Sequence, residues 1–310
     1  MIKATRRSAA KMTRIKSRAQ KSKAKNVERF SKLTLAILAL APIAAFLLIA
    51  PAYLYWFGGI SARKIYEIAI EERYIQEGAP AQIASKFVKP IVYLDAPQLK
   101  DLNSSERKKR FIETILPSIL IVKHKRDQER LLAIAISNKF HPTRAERRFM
   151  SDLYETYRAK DLDELLLRMQ THPPSLAIAQ AALESAWGTS NVFMETNNLF
   201  GVWSFDADEP RYLATIRKRG QKIYVRRYES MYASIEDYFM VVAIGKAFAE
   251  FRVARASNVD PNQLATLLEM YSEQRQEYVQ KLQYVIKSND LTRFDDYAID
   301  KSYLFLKAAL

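Results

Sequence analysis

The 310-residue chain has no cysteine, which removes both disulfides and thiolate catalysis from consideration. It has only three histidines, His124, His141 and His172. None is three or four residues from another and no HExxH pattern occurs, so no metal site is expected. Seven glycines leave little material for a phosphate-cradling loop, and no GxSxG, Walker or GxGxxG run is present, so no cofactor is expected either. Acidic residues are scarce at one end only. Residues 1–32 carry twelve Lys or Arg against Glu28 alone, a local charge of +11, leaving +4 of the total +15 for everything else. Basicity confined to a tail does not call for a nucleic-acid partner; it suits a topology signal and contact with an anionic lipid surface.

Charge is then missing altogether from LTLAILALAPIAAFLLIAPAYLYWFGGISA, between Lys32 and Arg63. About twenty apolar residues span a hydrocarbon core. Pro42 and Pro51 are tolerated in such a span, and Tyr53, Tyr55 and Trp56 sit where an interfacial aromatic belt belongs. A cleaved signal peptide is the rival reading, but its apolar region runs only about 7–15 residues after a short basic start. The sequence therefore predicts one uncleaved anchor helix over 33–60, a cytoplasmic tail over 1–32, and everything beyond about residue 60 outside the membrane. In a bacterium this is a single-pass inner-membrane protein with an extracytoplasmic, periplasmic body.

Residues 61–103 read as a stalk. ARKIYEIAIEERYIQEG suggests a helix ending at Gly78, after which Pro80, Pro90 and Pro97 punctuate an extended stretch. Ser104 or Ser105 is placed to cap the next helix, and Pro117 is expected to kink or divide it. TRAERRFMSDLYETYRAK, DLDELLLRMQT and PSLAIAQAALESAW read as further helices. Residues 211–230 differ, with Tyr, Ile and Val alternating with charges around Arg219-Gly220-Gln221, a β-hairpin pattern. The chain turns helical again after Ser234. The fold class that results is mainly α, α+β in kind, a helical lobe with a small hairpin lobe, over residues 104–300, followed by a short tail at 301–310.

One residue stands out. Glu184 lies near the end of a helix of Ala, Leu and Trp that stops by Gly188. A carboxylate held against apolar surface has its pKa raised, which suits a general acid working near neutral pH, such as one protonating a glycosidic oxygen. An ordinary surface glutamate is the plainer alternative on these residues alone.

The surrounding text bears on that choice. AQAALESAWGTSNVFMETNNLFGVW resembles the signature of family 73 glycoside hydrolases, N-acetylglucosaminidases of bacterial cell-wall peptidoglycan, in its A-x-x-E-S-x-W-G-T-S helix end and its N-N-L-F-G loop. RRYESMYASIEDYF is similar to the family's strand into an S-x-x-D-Y helix, and YSEQRQEYVQKLQYVIKSNDL to its closing helix. The blocks occur in the family's order. RKKRFIETILPSIL ahead of them resembles the membrane-anchored Bax-like group within it. The resemblance covers about residues 104–295 and implies a lysozyme-like fold with peptidoglycan glycan strands as the partner.

Residue by residue, the resemblance implies Glu184 as general acid and Tyr278, in preference to Tyr271, as the tyrosine of the cleft. Asn197 to Gly201 would shape the floor, with Trp187, Asn198, Phe200 and Tyr271 expected against the sugar. The second carboxylate falls among Asp206, Asp208, Glu209 and Glu229, with Asp208 and Glu209 preferred. Bax-like relatives carry a glycine-containing turn here and this chain has DADEP. A carboxylate about 5–5.5 Å from Glu184 would imply retention, and one about 6.5–9.5 Å away inversion. Assistance by the sugar's 2-acetamido group would need no second nucleophile. The implied activity is an endo-β-N-acetylglucosaminidase; a lytic transglycosylase or a non-catalytic wall-binding scaffold are the alternatives.

Overall fold

A computed structural model describes residues 65–75, 79–216, 220, 222–257 and 259–307. Its central element is α1, Ser104–Ser137, which runs unbroken for 34 residues. Twelve successive positions, Phe111 to Val122, are buried on every side, so the helix passes through the middle of the core. Pro117 does not divide it, contrary to expectation. The proline withholds one N–H from the ladder, but packing all around the helix holds the turn in place. The cap also differs from expectation. Asn103, not Ser104 or Ser105, accepts from the backbone N–H of Glu106 at 3.0 Å.

The segment before α1 is neither a helix nor a free stalk. It forms β1 (Ile65–Ile68), β2 (Glu71–Arg73), β3 (Phe87–Val88) and β4 (Ile91–Tyr93). Its Val88, Ile91, Val92, Tyr93 and Leu99 are part of the same core as α1. The partners explain the correction. Beyond the parallel β2–β4 pair, β3 runs parallel to β7 (Ala298–Ile299), and β1 pairs antiparallel with β8 (Leu304–Lys307). Two of these pairings join residues more than 200 positions apart, and tertiary pairing of this kind overrides local helix preference. The residues up to Lys307 are therefore built into the same unit as the helices.

Helix α2, Arg144–Thr156, starts with a capping box between Thr143 and Glu146, and α3, Leu162–Met169, is capped by Asp161. The two enclose a small second core with Leu153, Tyr157, Leu165, Met169 and Ala243. Helix α4, Pro174–Glu184, begins on a proline and is buried from Pro174 to Ala182. Its alanines let it lie between α1 and the later α9, Gln276–Ser288. Between them come the short α5, Asn191–Thr196, the hairpin of β5 (Arg211–Ile216) and β6 (Lys222–Arg226), and α6, Met231–Ile244. Helices α7, Ala249–Ala256, and α8, Pro261–Thr266, lead back to α9. The result is mostly helical with small β elements, and the hairpin falls where its alternating pattern placed it.

The expected membrane span over 33–60 and the basic tail before it lie outside the described residues. Among the described residues, no helix is long and apolar enough to cross a membrane.

Candidate active site

Glu184 is the last residue of α4, at the negative end of the helix dipole, which disfavours a second negative charge. The chain does not unwind gradually there. Ala186, Trp187 and Gly188 all take positive φ, at 51°, 56° and 75°. Left-handed backbone costs a non-glycine residue on the order of 1 kcal/mol or more, so something must hold the turn. Ser185 does. Its buried hydroxyl donates to Ala181 O at 2.6 Å and accepts from Gly188 N–H at 2.9 Å. The Trp187 N–H reaches back to Ala182 O at 2.8 Å and the Ser190 N–H to Ser185 O at 3.0 Å. Gly188 is required twice over, by its φ and because a Cβ there would stand 2.9 Å from Phe111 Cδ2 and 3.0 Å from Leu99 Cδ1. Trp187 packs edge-on against Phe111, with Lys108 Nζ 5.2 Å from its ring centre. The E-S-x-W-G run is thus an apparatus for ending the helix abruptly at the carboxylate.

The N-N-L-F-G loop closes on the same carboxylate. Asn197 ends α5 in a left-handed conformation, and Gly201, at φ 63°, brings its backbone so near that a Cβ would be 3.4 Å from Glu184 Oε2. Asn198 and Phe200 were expected against the sugar and are not available to it, being 2% and 1% exposed. Asn198 instead ties the loop together, accepting from Val202 N–H and donating to Val202 O and Arg226 O. Phe200 stacks on Tyr238, ring centres 3.8 Å apart. They build the floor from beneath.

The Tyr278 hydroxyl on α9 acts on the Glu184 carboxyl, and Tyr271 stacks on Tyr278 and donates to Phe200 O at 3.1 Å. Glu184 is half-buried. Burial pushes its carboxyl up to about 7, while the Tyr278 hydrogen bond acts in the opposite sense. Burial likewise raises the Tyr278 and Tyr271 hydroxyls, keeping both protonated. A carboxyl half-protonated near neutral pH can give up a proton to a substrate and take one back.

The preferred second carboxylates are placed differently. Asp208 is exposed, its N–H donating to Asp206 Oδ1 in a local turn. Glu209 Oε2 lies 3.1 Å from Arg226 Nε, and Arg226 is also paired with Asp237 at 2.7 Å. Burial and Tyr278 are the two influences acting on Glu184, with neither Asp208 nor Glu209 among them. Glu229 is exposed after the hairpin. Gln180, Ser185, His172 and Tyr238 contribute to the site without having been singled out. For Tyr238 the signal was its place in the S-x-x-D-Y block; for Gln180 it was the position one turn before Glu184.

A half-buried acid set at a helix end, walled by tyrosines and a glycine loop in a mainly helical domain, is what a glycoside hydrolase needs to protonate a leaving oxygen. Residues 159–291 match the glucosaminidase family model, described as mannosyl-glycoprotein endo-beta-N-acetylglucosaminidase, and over this part the chain is similar to that family. The chain is 27% identical over 169 residues to Protein bax of Escherichia coli, covering 52% of this chain and 60% of that one. It is 28% identical over 136 residues to the exo-glucosaminidase LytG of Bacillus subtilis, covering 40% and 46%. It thus spans less than two thirds of either relative. Among solved structures, the catalytic domain of the autolysin Auto from Listeria monocytogenes covers 52% of this chain and 94% of its own at 23% identity and a TM-score of 0.34. A peptidoglycan hydrolase from Sphingomonas sp. A1 covers 46% and 85% at 22% identity and the same TM-score of 0.34. Scores this low carry no argument, and the architecture stands on the elements described above.

Proposed function

We propose that the chain is a membrane-anchored peptidoglycan hydrolase that cleaves the β-1,4 bond after N-acetylglucosamine, with Glu184 as its general acid. The observation that carries this is the Glu184 carboxyl itself, held near half-protonation beside Tyr278 and Gly201. Protonated Glu184 donates to the glycosidic oxygen as the bond from the anomeric carbon breaks, and an oxocarbenium-like centre develops on the sugar. Tyr278 meets the carboxylate left behind, and water completes the hydrolysis. The anchor follows from the uncharged stretch 33–60 and the basic tail before it, which set the domain on the extracytoplasmic face of the bacterial inner membrane. A hydrolase tethered there has the wall as its nearest substrate. The family description names endo cleavage and the name of LytG exo cleavage; we assign the endo mode to this chain.

The engagement of Glu209 by Arg226 favours a second route in which no protein carboxylate attacks. The sugar's 2-acetamido oxygen would then serve as nucleophile, or a sugar hydroxyl would close an anhydro ring as in a lytic transglycosylase.

Digestion of purified peptidoglycan by the full-length chain, beside Glu184→Gln, with mass spectrometry of the fragments, tests these together. Reducing-end N-acetylglucosamine that disappears in the variant is the expected result. Anhydro-muramyl ends would replace hydrolysis by transglycosylation. Folded protein that binds the wall and releases nothing would make it a scaffold. A reporter fused to the C-terminus is expected to read extracytoplasmic, and a cytoplasmic signal would remove the anchor topology.

A further inference from the structure

Behind Glu184 runs a line of buried polar side chains drawn from separate segments. His172, in the turn before α4, has Nε2 2.9 Å from Tyr238 Oη on α6. Tyr238 donates to Gln180 Oε1 at 2.5 Å and Gln180 Nε2 donates to Tyr278 Oη at 3.0 Å, and the Tyr278 hydroxyl is the side-chain group that acts on the Glu184 carboxyl. His172, Gln180 and Tyr238 are each at most 1% exposed, so none of them touches substrate. The surrounding core is aromatic. His172 stacks on Phe239 with ring centres 4.5 Å apart, and Phe251 lies edge-on at 5.6 Å. Apolar residues would fill this space without desolvating four polar groups.

The chemistry of the groups gives the line a direction. An amide nitrogen only donates and an amide oxygen only accepts, while each tyrosine hydroxyl has a single proton. With Gln180 N–H filling the Tyr278 oxygen, the one Tyr278 proton is left to point at Glu184. With the Tyr238 proton given to Gln180 Oε1, the Tyr238 oxygen must accept from His172. That makes His172 a neutral imidazole carrying its proton on Nε2, with Nδ1 bare.

The reverse arrangement, with the amide turned over, would put the proton on Nδ1. That atom has no partner. A bare ring nitrogen is the less costly orphan, because buried N–H groups without acceptors are the rarer defect. A charged imidazolium, donating from both nitrogens, is opposed by burial and by Arg255, Lys123 and Arg126 around it. The unpartnered Nδ1 thus fixes the tautomer, and the tautomer fixes the sense of every bond down to Glu184.

We propose that His172, Tyr238 and Gln180 are positioning residues that aim the Tyr278 hydroxyl proton at Glu184, so that a donor is already in place for the carboxylate left after proton transfer. This rests on Glu184 being the acid proposed above. The groups facing Glu184 are the hydroxyls of Tyr238, Tyr271 and Tyr278, and no charged side chain is among them in the described residues. A change in its titration therefore reports on that hydroxyl set.

The test is a double-mutant cycle on the full-length chain between Gln180→Met and Tyr278→Phe. It is read twice, as the pH profile of kcat/KM and as the carbon-13 NMR titration of the Glu184 carboxyl, assigned by its absence in Glu184→Gln. Gln180→Met is expected to raise the Glu184 pKa by about one unit and to lower kcat on the order of tenfold with KM little changed. In the Tyr278→Phe background it should add nothing further to either. Tyr238→Phe, which leaves Gln180 in place, should shift the titration in the same direction by a smaller amount. A Glu184 titration that stays put in both single variants, or a full additional effect of Gln180→Met in the Tyr278→Phe background, would overturn the proposal. The NMR readout does not depend on turnover. If Glu184→Gln proves active while the titration behaves as stated, the assignment of the acid fails and the aiming of Tyr278 stands.

Discussion

The backbone of Gly201 lies against the Glu184 carboxylate, so close that a single added methyl group would stand 3.4 Å from Oε2. The φ of 63° at Gly201 adds strain for any other residue. Gly201→Ala is therefore expected to cost about 1 kcal/mol of stability through the backbone and to lower kcat/KM about tenfold or more by crowding the acid. Urea melts beside turnover assays check this, and unchanged activity would place the proton transfer elsewhere.

The raised acid makes activity and stability fall together as pH rises, over different ranges. With Glu184 as the proposed general acid, activity should fall as pH rises through about 7. For stability, the folded pKa lies above the unfolded value near 4.5, so the unfolded chain loses its proton first as pH rises. The folded state is then penalised progressively from about pH 4.5 up to and past 7, by roughly 3 kcal/mol at the limit. Glu184→Gln removes the titration. Its thermal midpoint should exceed the wild type's at pH 8 and match it at pH 4, and equal midpoints at both would show that the carboxyl is not held up.

The turn after Glu184 should fail in two distinguishable ways. Gly188→Ala drives a Cβ into Phe111 and Leu99 at a φ of 75°, and is expected to destabilise by about 2–3 kcal/mol. Ser185→Ala leaves the Gly188 N–H without its acceptor, for about 1–3 kcal/mol. Because that hydroxyl also grips α4 at Ala181 O, Ser185→Ala should reduce kcat beyond its effect on folded population, measured well below the melting transition.

Glu209 gives a sharper test of the attacking group. Held by Arg226, it is expected to matter for the hairpin rather than for chemistry. Glu209→Gln should keep activity within about tenfold of wild type, whereas Glu184→Gln loses all of it. Equal losses would restore Glu209 as the second carboxylate.

Much of the site was legible because its parts are local. Glu184 and Gly188 sit within five residues of one another, and the hairpin announces itself by alternation. The closing-helix block brings Tyr278 into view, and Tyr238 sits unremarked in the S-x-x-D-Y block, but their meeting through Gln180 depends on three helices converging. No spacing in one dimension encodes that. The strands β1 and β2 lie where the local pattern suggests a helix, for the same reason. Ile65–Ile68 becomes a strand only because Leu304–Lys307 lies beside it. Asn198 and Phe200 show the opposite limit. Their place in a signature loop marked them as part of the site, yet side-chain direction in a turn decides whether a residue meets sugar or core. Here both point inward.

The β1–β8 pair sets Ile65 opposite Lys307, so the first and last described residues lie side by side at one seam. Tension on the chain ahead of Ile65 would act first on that seam, and at its second pair on the bonds from Tyr66 to Gln128 and His124 of α1. A domain stitched in this way yields first at its margin.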